Sequence, residues 1–93
     1  MLKHNSYFNG QVQSLGLVVD GVNATVGVME PGRYTFSTSS EEHMTITAGL
    51  LNAQLPGESV WREYAAGDTF IVAPDKSFEV EAAKDVAYIC LYR

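Results

Sequence analysis

The amino-acid sequence predicts an all-β fold, a single-domain antiparallel β-barrel of the jelly-roll type over residues 1–93. Apolar side chains recur at every second position through most of the chain, which is typical of half-buried strands. Short turns rich in Gly and Pro separate these segments, and no segment shows a long 3.6-residue period. A chain of 93 residues has room for one domain.

The predicted strands follow one another at short spacing between residues 10 and 92. In the first clear alternation, Ala24, Val26 and Val28 take turns with Thr25, Gly27 and Met29. The later segments cover residues 34–37, 44–48, 51–55, 60–64, 68–73, 77–82 and 86–92. Turn residues such as Pro31-Gly32 and Pro56-Gly57 lie between them. Eight or nine short strands in so small a chain indicate a compact barrel or jelly roll.

Composition excludes several functional classes. Six basic and eleven acidic residues give a net charge of −5, which disfavours nucleic acid as a partner. The sequence has no apolar run of the ~18 residues that a membrane span needs, and its first residues do not resemble a signal peptide. The single cysteine, Cys90, cannot form an internal disulfide, which fits a reducing compartment. From these observations together we expect a cytoplasmic protein with no membrane partner.

Metal binding is not expected from the two histidines, His4 and His43. A transition-metal site needs three or four converging ligands, and these two residues stand far apart in the sequence. Cys90 lies between Ile89 and Leu91 in a predicted strand, where a free cysteine is usually a buried structural residue.

Glu42 is the acidic residue whose position in the pattern is most informative. It shares the parity of Met44, Ile46 and Ala48, so its side chain is expected on the inner face at the mouth of the barrel. Partial burial of a carboxyl group raises its pKa and suits it to acid or hydrogen-bond chemistry. The neighbouring Glu41 is expected in a solvated loop.

Two short motifs of the cupin barrels align with the sequence, although their metal ligands do not. Glu42 stands seven residues before Gly49, as in the E-x6-G part of the first motif. Phe36 and Thr38 occupy the two histidine positions before it, and Glu79 occupies the histidine position of the second motif. The chain therefore resembles a cupin-type barrel without its usual metal triad. The motif places Glu79 at the cavity, whereas alternation with Phe78 and Val80 places it outside; we expect the cavity.

A closer resemblance runs through the whole chain at nearly fixed spacing. The pattern includes Tyr7-Phe8-x-Gly10, then Thr25-Val26-Gly27-Val28-Met29-x-Pro31-Gly32-x-Tyr34-x-Phe36, and later Leu55-Pro56-Gly57 and Ala87-Tyr88-Ile89-Cys90-x-Tyr92. It is similar to the pyrimidine/purine nucleoside phosphorylase family of small one-domain cupins. The resemblance implies phosphorolysis of diverse ribonucleosides to a free base and ribose 1-phosphate, with phosphate as co-substrate and no further cofactor.

Phosphorolysis needs an anion pocket, donors for the departing base and a dry wall for the nucleoside. Glu42 and Glu79 are the candidate catalytic residues. The candidate substrate-binding residues offer hydroxyl, cationic and aromatic groups: Arg33, Phe36, Ser37, Thr38, Lys76, Ser77 and Tyr88. A non-catalytic cupin that binds a small sugar or metabolite is the alternative, and a structural dimer with a filled barrel is a third reading.

Homo-oligomerisation, most simply as a homodimer, is expected from the small size of the chain. Apolar residues also occur on both faces of some strands, as at Val60-Trp61 and residues 87–92.

Overall fold

Two antiparallel β-sheets form the protein, which a computed structural model describes over residues 1–93. Ten strands contribute to them: β1 (His4–Tyr7), β2 (Val12–Val19), β3 (Val22–Met29), β4 (Gly32–Ser37), β5 (Glu42–Ala48), β6 (Leu50–Gln54), β7 (Arg62–Ala65), β8 (Thr69–Val72), β9 (Ser77–Ala82) and β10 (Val86–Tyr92). The larger sheet has the order β1-β2-β3-β10-β5-β8, and the smaller one has the order β4-β9-β6-β7. Because every pairing is antiparallel and the two sheets share one core, the predicted all-β jelly-roll class is confirmed.

The core consists of the inward-facing side chains of both sheets. In β9, the buried Phe78, Val80 and Ala82 alternate with Ser77, Glu79 and Glu81, which are exposed or half-buried. The same alternation runs through β5, β8 and β10, as the period-two pattern predicts. The fully buried large side chains include Val12, Met29, Ile46, Leu51 and Val80.

The N-terminal segment is more ordered than its sequence indicates. β1 pairs with β2, so that Tyr7 lies opposite Val12. Between the two strands the backbone makes a short 3₁₀ turn at Phe8–Gly10, in which φ is 52° at Phe8, 56° at Asn9 and 88° at Gly10. A left-handed conformation is uncommon for a bulky residue such as Phe8 and costs roughly 1–3 kcal/mol. The turn carries Tyr7 and Phe8 over one end of the space between the sheets.

No helix of the chain is long and apolar enough to cross a membrane.

Candidate functional site

A cavity of about 490 Å³ opens between the two sheets beside the N-terminal turn. Its size lies in the range of ~300–1,000 Å³ that is usual for small-molecule sites. Twelve residues line it: Tyr7, Phe8, Ser14, Thr35, Phe36, Ser37, Ser39, Glu42, Met44, Tyr88, Cys90 and Tyr92. The interior is therefore not filled by side chains, which argues against the reading of a purely structural barrel.

Glu42 is the only acidic residue that lines the cavity. It is the first residue of β5 and lies opposite Tyr92 of β10. Its carboxyl is half-buried, and desolvation raises its pKa above the ordinary value. The Cys90 thiol donates a hydrogen bond to Glu42 Oε1 at 3.6 Å, which partly opposes that rise. The inward orientation predicted from its parity with Met44 and Ile46 is confirmed.

A thiol and a phenol, both neutral, lie near this carboxyl. Burial raises the pKa of the Cys90 thiol to about 12, and burial also raises the pKa of the Tyr92 phenol. The hydroxyl groups of Tyr92 and Thr25 share a hydrogen bond of 2.9 Å. Near neutral pH this wall therefore offers thiol and hydroxyl groups beside Glu42, with no thiolate or phenolate to repel an electron-rich ligand.

Tyr88 forms part of the same wall. It is 5% exposed, and burial raises its pKa to about 12, so that its phenol stays protonated at neutral pH. Its ring lies against Gly27 of β3, the residue opposite it in the sheet. A buried phenol at a cavity wall presents an aromatic surface and a hydroxyl donor to a ligand.

The rings of Phe8 and Phe36 line the cavity and pack against aromatic residues of the core. The centroid of the Phe8 ring lies 5.0 Å from that of Tyr34 and 5.7 Å from that of Phe36. Phe36 in turn packs against Phe78 at 5.8 Å. Such a row of rings provides a dry surface on which a planar base can stack.

Hydroxyl groups lie at the polar side of the mouth. Ser37 and Ser39 both line the cavity. The Oγ atoms of Ser37 and Ser77 are 3.2 Å apart across β4 and β9, although Ser77 itself lies outside the cavity in a neighbouring shallow groove. Among the predicted binding residues, the structure thus gathers Phe36, Ser37 and Tyr88 around Glu42.

Arg33 and Glu79 do not face this cavity, so the expected orientation of Glu79 is wrong. Both lie on the outer face of the smaller sheet, because Glu79 alternates with the buried Phe78 and Val80. Arg33 Nη2 is 2.6 Å from Glu79 Oε2, and the Arg33 guanidinium lies 4.9 Å from the centre of the Trp61 ring. The alternation of the strand, and not the motif position, decides where Glu79 points.

Thr38 and Lys76 also lie outside the cavity lining, contrary to expectation. Thr38 is 6% exposed; its hydroxyl donates to the Ala73 carbonyl at 2.7 Å and accepts from the Lys76 amide at 3.0 Å. That hydroxyl therefore fastens the loop at residues 73–76 to the end of β4. Lys76 is exposed on this loop.

Sequence reasoning missed six of the cavity residues: Tyr7, Phe8, Ser14, Thr35, Cys90 and Tyr92. Tyr7 and Phe8 reach the cavity only because β1 pairs with β2, and the region before residue 10 shows no clear alternation. The signal that was available is the Tyr7-Phe8-x-Gly10 pattern, which combines two aromatic residues with a glycine that can turn.

The cavity lining contains no Lys, Arg or His. No group of three or more His, Cys, Asp or Glu side chains is placed to hold a metal ion. Glu42 is therefore the only formally charged group in the lining, which suits a neutral organic ligand with hydroxyl groups better than an anion.

Comparison with known proteins agrees with this architecture. A cupin-like protein from Thermotoga maritima superposes with a TM-score of 0.71 at 22% identity over 87% of this chain and 67% of that one. A protein of unknown function from Vibrio parahaemolyticus superposes with a TM-score of 0.96 at 43% identity, covering 100% of this chain and 99% of that one. The cupin-type fold is confirmed.

Relatives in sequence carry a functional name. A pyrimidine/purine nucleoside phosphorylase from Sorangium cellulosum is 48% identical over 90 residues, which is 97% of either chain. One of the same name from Pseudomonas aeruginosa is 44% identical over 93 residues, the full length of both. The family described as pyrimidine/purine nucleoside phosphorylase matches residues 2–92. The resemblance inferred from the sequence is thus confirmed, and this chain belongs to the pyrimidine/purine nucleoside phosphorylase family.

Proposed function

We propose that this protein phosphorolyses the N-glycosidic bond of both purine and pyrimidine ribonucleosides. An oxygen of hydrogen phosphate bonds to the anomeric carbon as the bond from that carbon to the base nitrogen breaks. The bonding pair leaves with the base, which takes up one proton; that proton comes from hydrogen phosphate directly, or from protonated Glu42, which hydrogen phosphate then reprotonates. The products are a free base and ribose 1-phosphate, and phosphate is the only other reactant.

The observation that carries this proposal is Glu42 in a nucleoside-sized cavity. Desolvation raises the pKa of its carboxyl, which favours the protonated form that can donate to the departing base. When ionised, the same carboxylate can hold ribose hydroxyls and stabilise positive charge at the anomeric carbon. Both roles place the glycosidic bond near Glu42, Cys90 and Tyr92.

Phosphate is proposed to bind at the mouth of the cavity, beside Ser37 and Ser39. Glu42 repels an anion when it is ionised, and no cationic side chain lines the cavity. Ser37 and Ser39 offer hydroxyl donors at the mouth, and Ser77 and Lys76 lie just beyond Ser37 on the adjacent strand end. Nucleoside and phosphate then meet with the anomeric carbon between them.

Tolerance for different bases fits an aromatic wall. Phe8 and Phe36 line the cavity with their ring planes at 89° to each other, and every nucleobase has a face that can stack on an aromatic ring. Stacking alone does not distinguish the hydrogen-bonding edges of the bases. Discrimination is then left to the dimensions of the cavity.

Incubation of the purified protein with uridine or inosine, with and without inorganic phosphate, tests the proposal. We expect free base and ribose 1-phosphate only when phosphate is present. Base release that does not depend on phosphate would indicate a hydrolase. Binding of either nucleoside without any base release would indicate the alternative, a non-catalytic cupin that holds a small sugar or metabolite.

A further inference from the structure

Gly27 is a glycine in the middle of a strand, where this residue ordinarily weakens a sheet. Its backbone does not require it, because φ at Gly27 is not in the left-handed region, in contrast to Gly49 at φ 88°. What requires a glycine is space. A Cβ atom at this position would lie 2.3 Å from Tyr88 Cζ and 2.4 Å from the Tyr88 hydroxyl oxygen.

The Tyr88 ring therefore lies directly against Gly27 of β3. Gly27 pairs with Tyr88 of β10 on one side and with Ser14 of β2 on the other. On the side of β10 away from β3, Tyr88 lies opposite Ile46 of β5, which is fully buried. One side of the Tyr88 ring contacts the inner face of the sheet, and the other side borders the cavity. A ring that is pushed away from the sheet can therefore move only into the cavity.

We propose that Gly27 sets the width of the cavity by letting the Tyr88 ring lie against the sheet, and thereby determines which bases fit. The inference rests on the proposed function, because it assumes that the cavity holds the nucleoside. A methyl group on Gly27 would lift the ring into the cavity. A purine has a fused five-membered ring that a pyrimidine lacks, so the narrowed cavity would exclude inosine before it excluded uridine.

The test is the affinity of the Gly27→Ala protein for inosine and uridine, measured by titration calorimetry without phosphate. Differences of one methylene in a pocket change discrimination by ~10–200-fold, so we expect the ratio of inosine to uridine affinity to fall by about tenfold or more. Gly16→Ala is the matched control. Gly16 also lies inside a strand, its φ is not left-handed, and its nearest neighbour, Lys3 Cβ, would be 3.6 Å from the new atom.

A crystal structure of the Gly27→Ala protein gives a readout that needs no ligand. We expect the Tyr88 ring to be displaced toward the cavity; a ring that keeps its wild-type position beside residue 27 would overturn the proposal. An unchanged inosine-to-uridine ratio would overturn it as well. Failure of the wild-type protein to release base with phosphate would instead count against the proposed function. The binding ratio and the ring position could still be measured in that case, so the two proposals can fail separately.

A double variant covers the case in which Gly27→Ala does not fold. In Gly27→Ala/Tyr88→Val the ring that occupies the space is gone, so folding should be restored, and the binding ratio should match that of Tyr88→Val alone. The proposal is wrong if the double variant also fails to fold, or if it selects against inosine as the single variant does. Either result would mean that the Tyr88 ring is not what requires a glycine at position 27.

Discussion

Glu42 combines a half-buried carboxyl with a place in the cavity, and its ionisation has a cost for the folded state. Burial raises its folded-state pKa above the unfolded value, so the folded protein binds this proton more tightly. Stability from this group is therefore fully present below the unfolded pKa and is lost as the pH rises through the folded pKa. A neutral amide at the same position escapes this loss.

Glu42→Gln should accordingly become more stable relative to wild type as the pH rises from below 4 to 7. Thermal unfolding of both proteins across this range measures the difference. Glu63→Gln, at an exposed position of β7, is the control and should show no such trend. A stability difference between Glu42→Gln and wild type that falls with rising pH would contradict the assigned direction of the pKa shift.

The two candidate carboxylates show how well motif position and strand parity predict the orientation of a side chain. For Glu42, the motif spacing and the parity with Met44 and Ile46 agree, and the side chain faces the cavity. For Glu79, the motif and the parity with Phe78 and Val80 disagree, and the parity is correct. Strand geometry is a physical constraint on every residue, whereas a motif position whose metal ligand has been replaced no longer constrains the side chain.

At the scale of elements, β4 and β9 present a polar outer face on which Arg33 and Glu79 lie outside the cavity lining. The ion pair of Arg33 and Glu79 lies there, with side-chain exposures of 57% and 37%. Exposed pairs of this kind contribute little to stability because solvent screens them.

Glu79→Gln should therefore leave base release from uridine unchanged under phosphate-saturated conditions. The measurement is turnover beside that of wild type, with unfolding followed to show that the fold is intact. A large loss of turnover in a folded Glu79→Gln protein would mean that the outer face of β9 contributes to the site after all.

The Thr38 hydroxyl makes part of the hydrogen bonds that hold the loop at residues 73–76. Thr38 Oγ1 accepts from the Lys76 amide and donates to the Ala73 carbonyl, and the Thr38 backbone bonds to Lys76 and Asp75 as well. Thr38→Val keeps the shape of the side chain but leaves two backbone groups without this partner. We expect a loss of ~1–3 kcal/mol in the free energy of unfolding, measured by urea denaturation.

Thr35→Val is the control for this substitution, because Thr35 is exposed in β4, the strand that ends just before Thr38. An equal effect of the two variants would show that the Thr38 hydroxyl does not fasten the loop.

At the scale of the whole molecule, the outer face of the larger sheet is unusually apolar. The outward positions of β2, β3 and β10 between residues 13–17, 24–28 and 87–91 carry no charged side chain. Val26 is 45% exposed and Val28 is 53% exposed. Exposed apolar patches of this kind mark interaction surfaces, and on a chain of net charge −5 this face lets two copies meet without bringing like charges together.

We therefore expect a homodimer through this face, with a mass near twice the 10.2 kDa of the chain. The double variant Val26→Lys/Val28→Lys should shift the mass measured by light scattering at micromolar concentration toward that of a monomer. Glu63→Lys, on the other sheet, should leave the dimer intact. A monomeric wild-type protein, or a dimer that survives both lysines, would contradict this surface.

Most of the fold followed from the sequence because alternation and turn residues are local signals. Those signals end before residue 10, so β1 and the aromatic residues that it carries to the cavity depend on pairing with β2, which a local pattern does not contain. Likewise, the position of Thr38 depends on contacts with a loop more than thirty residues further along the chain. Polar residues near a strand end can face a cavity or fasten a loop, and only the folded chain distinguishes these uses.

Turnover of uridine by Glu42→Gln at saturating phosphate tests most directly whether the cavity is the place of cleavage. The amide keeps the size of the side chain and removes its proton and charge, and acid–base groups of this kind typically contribute ~100-fold or more. We predict a fall in base release of that order at pH 7, with the fold intact and with Glu63→Gln equal to wild type. Full turnover by a stable Glu42→Gln protein would contradict the assignment of this cavity as the active site.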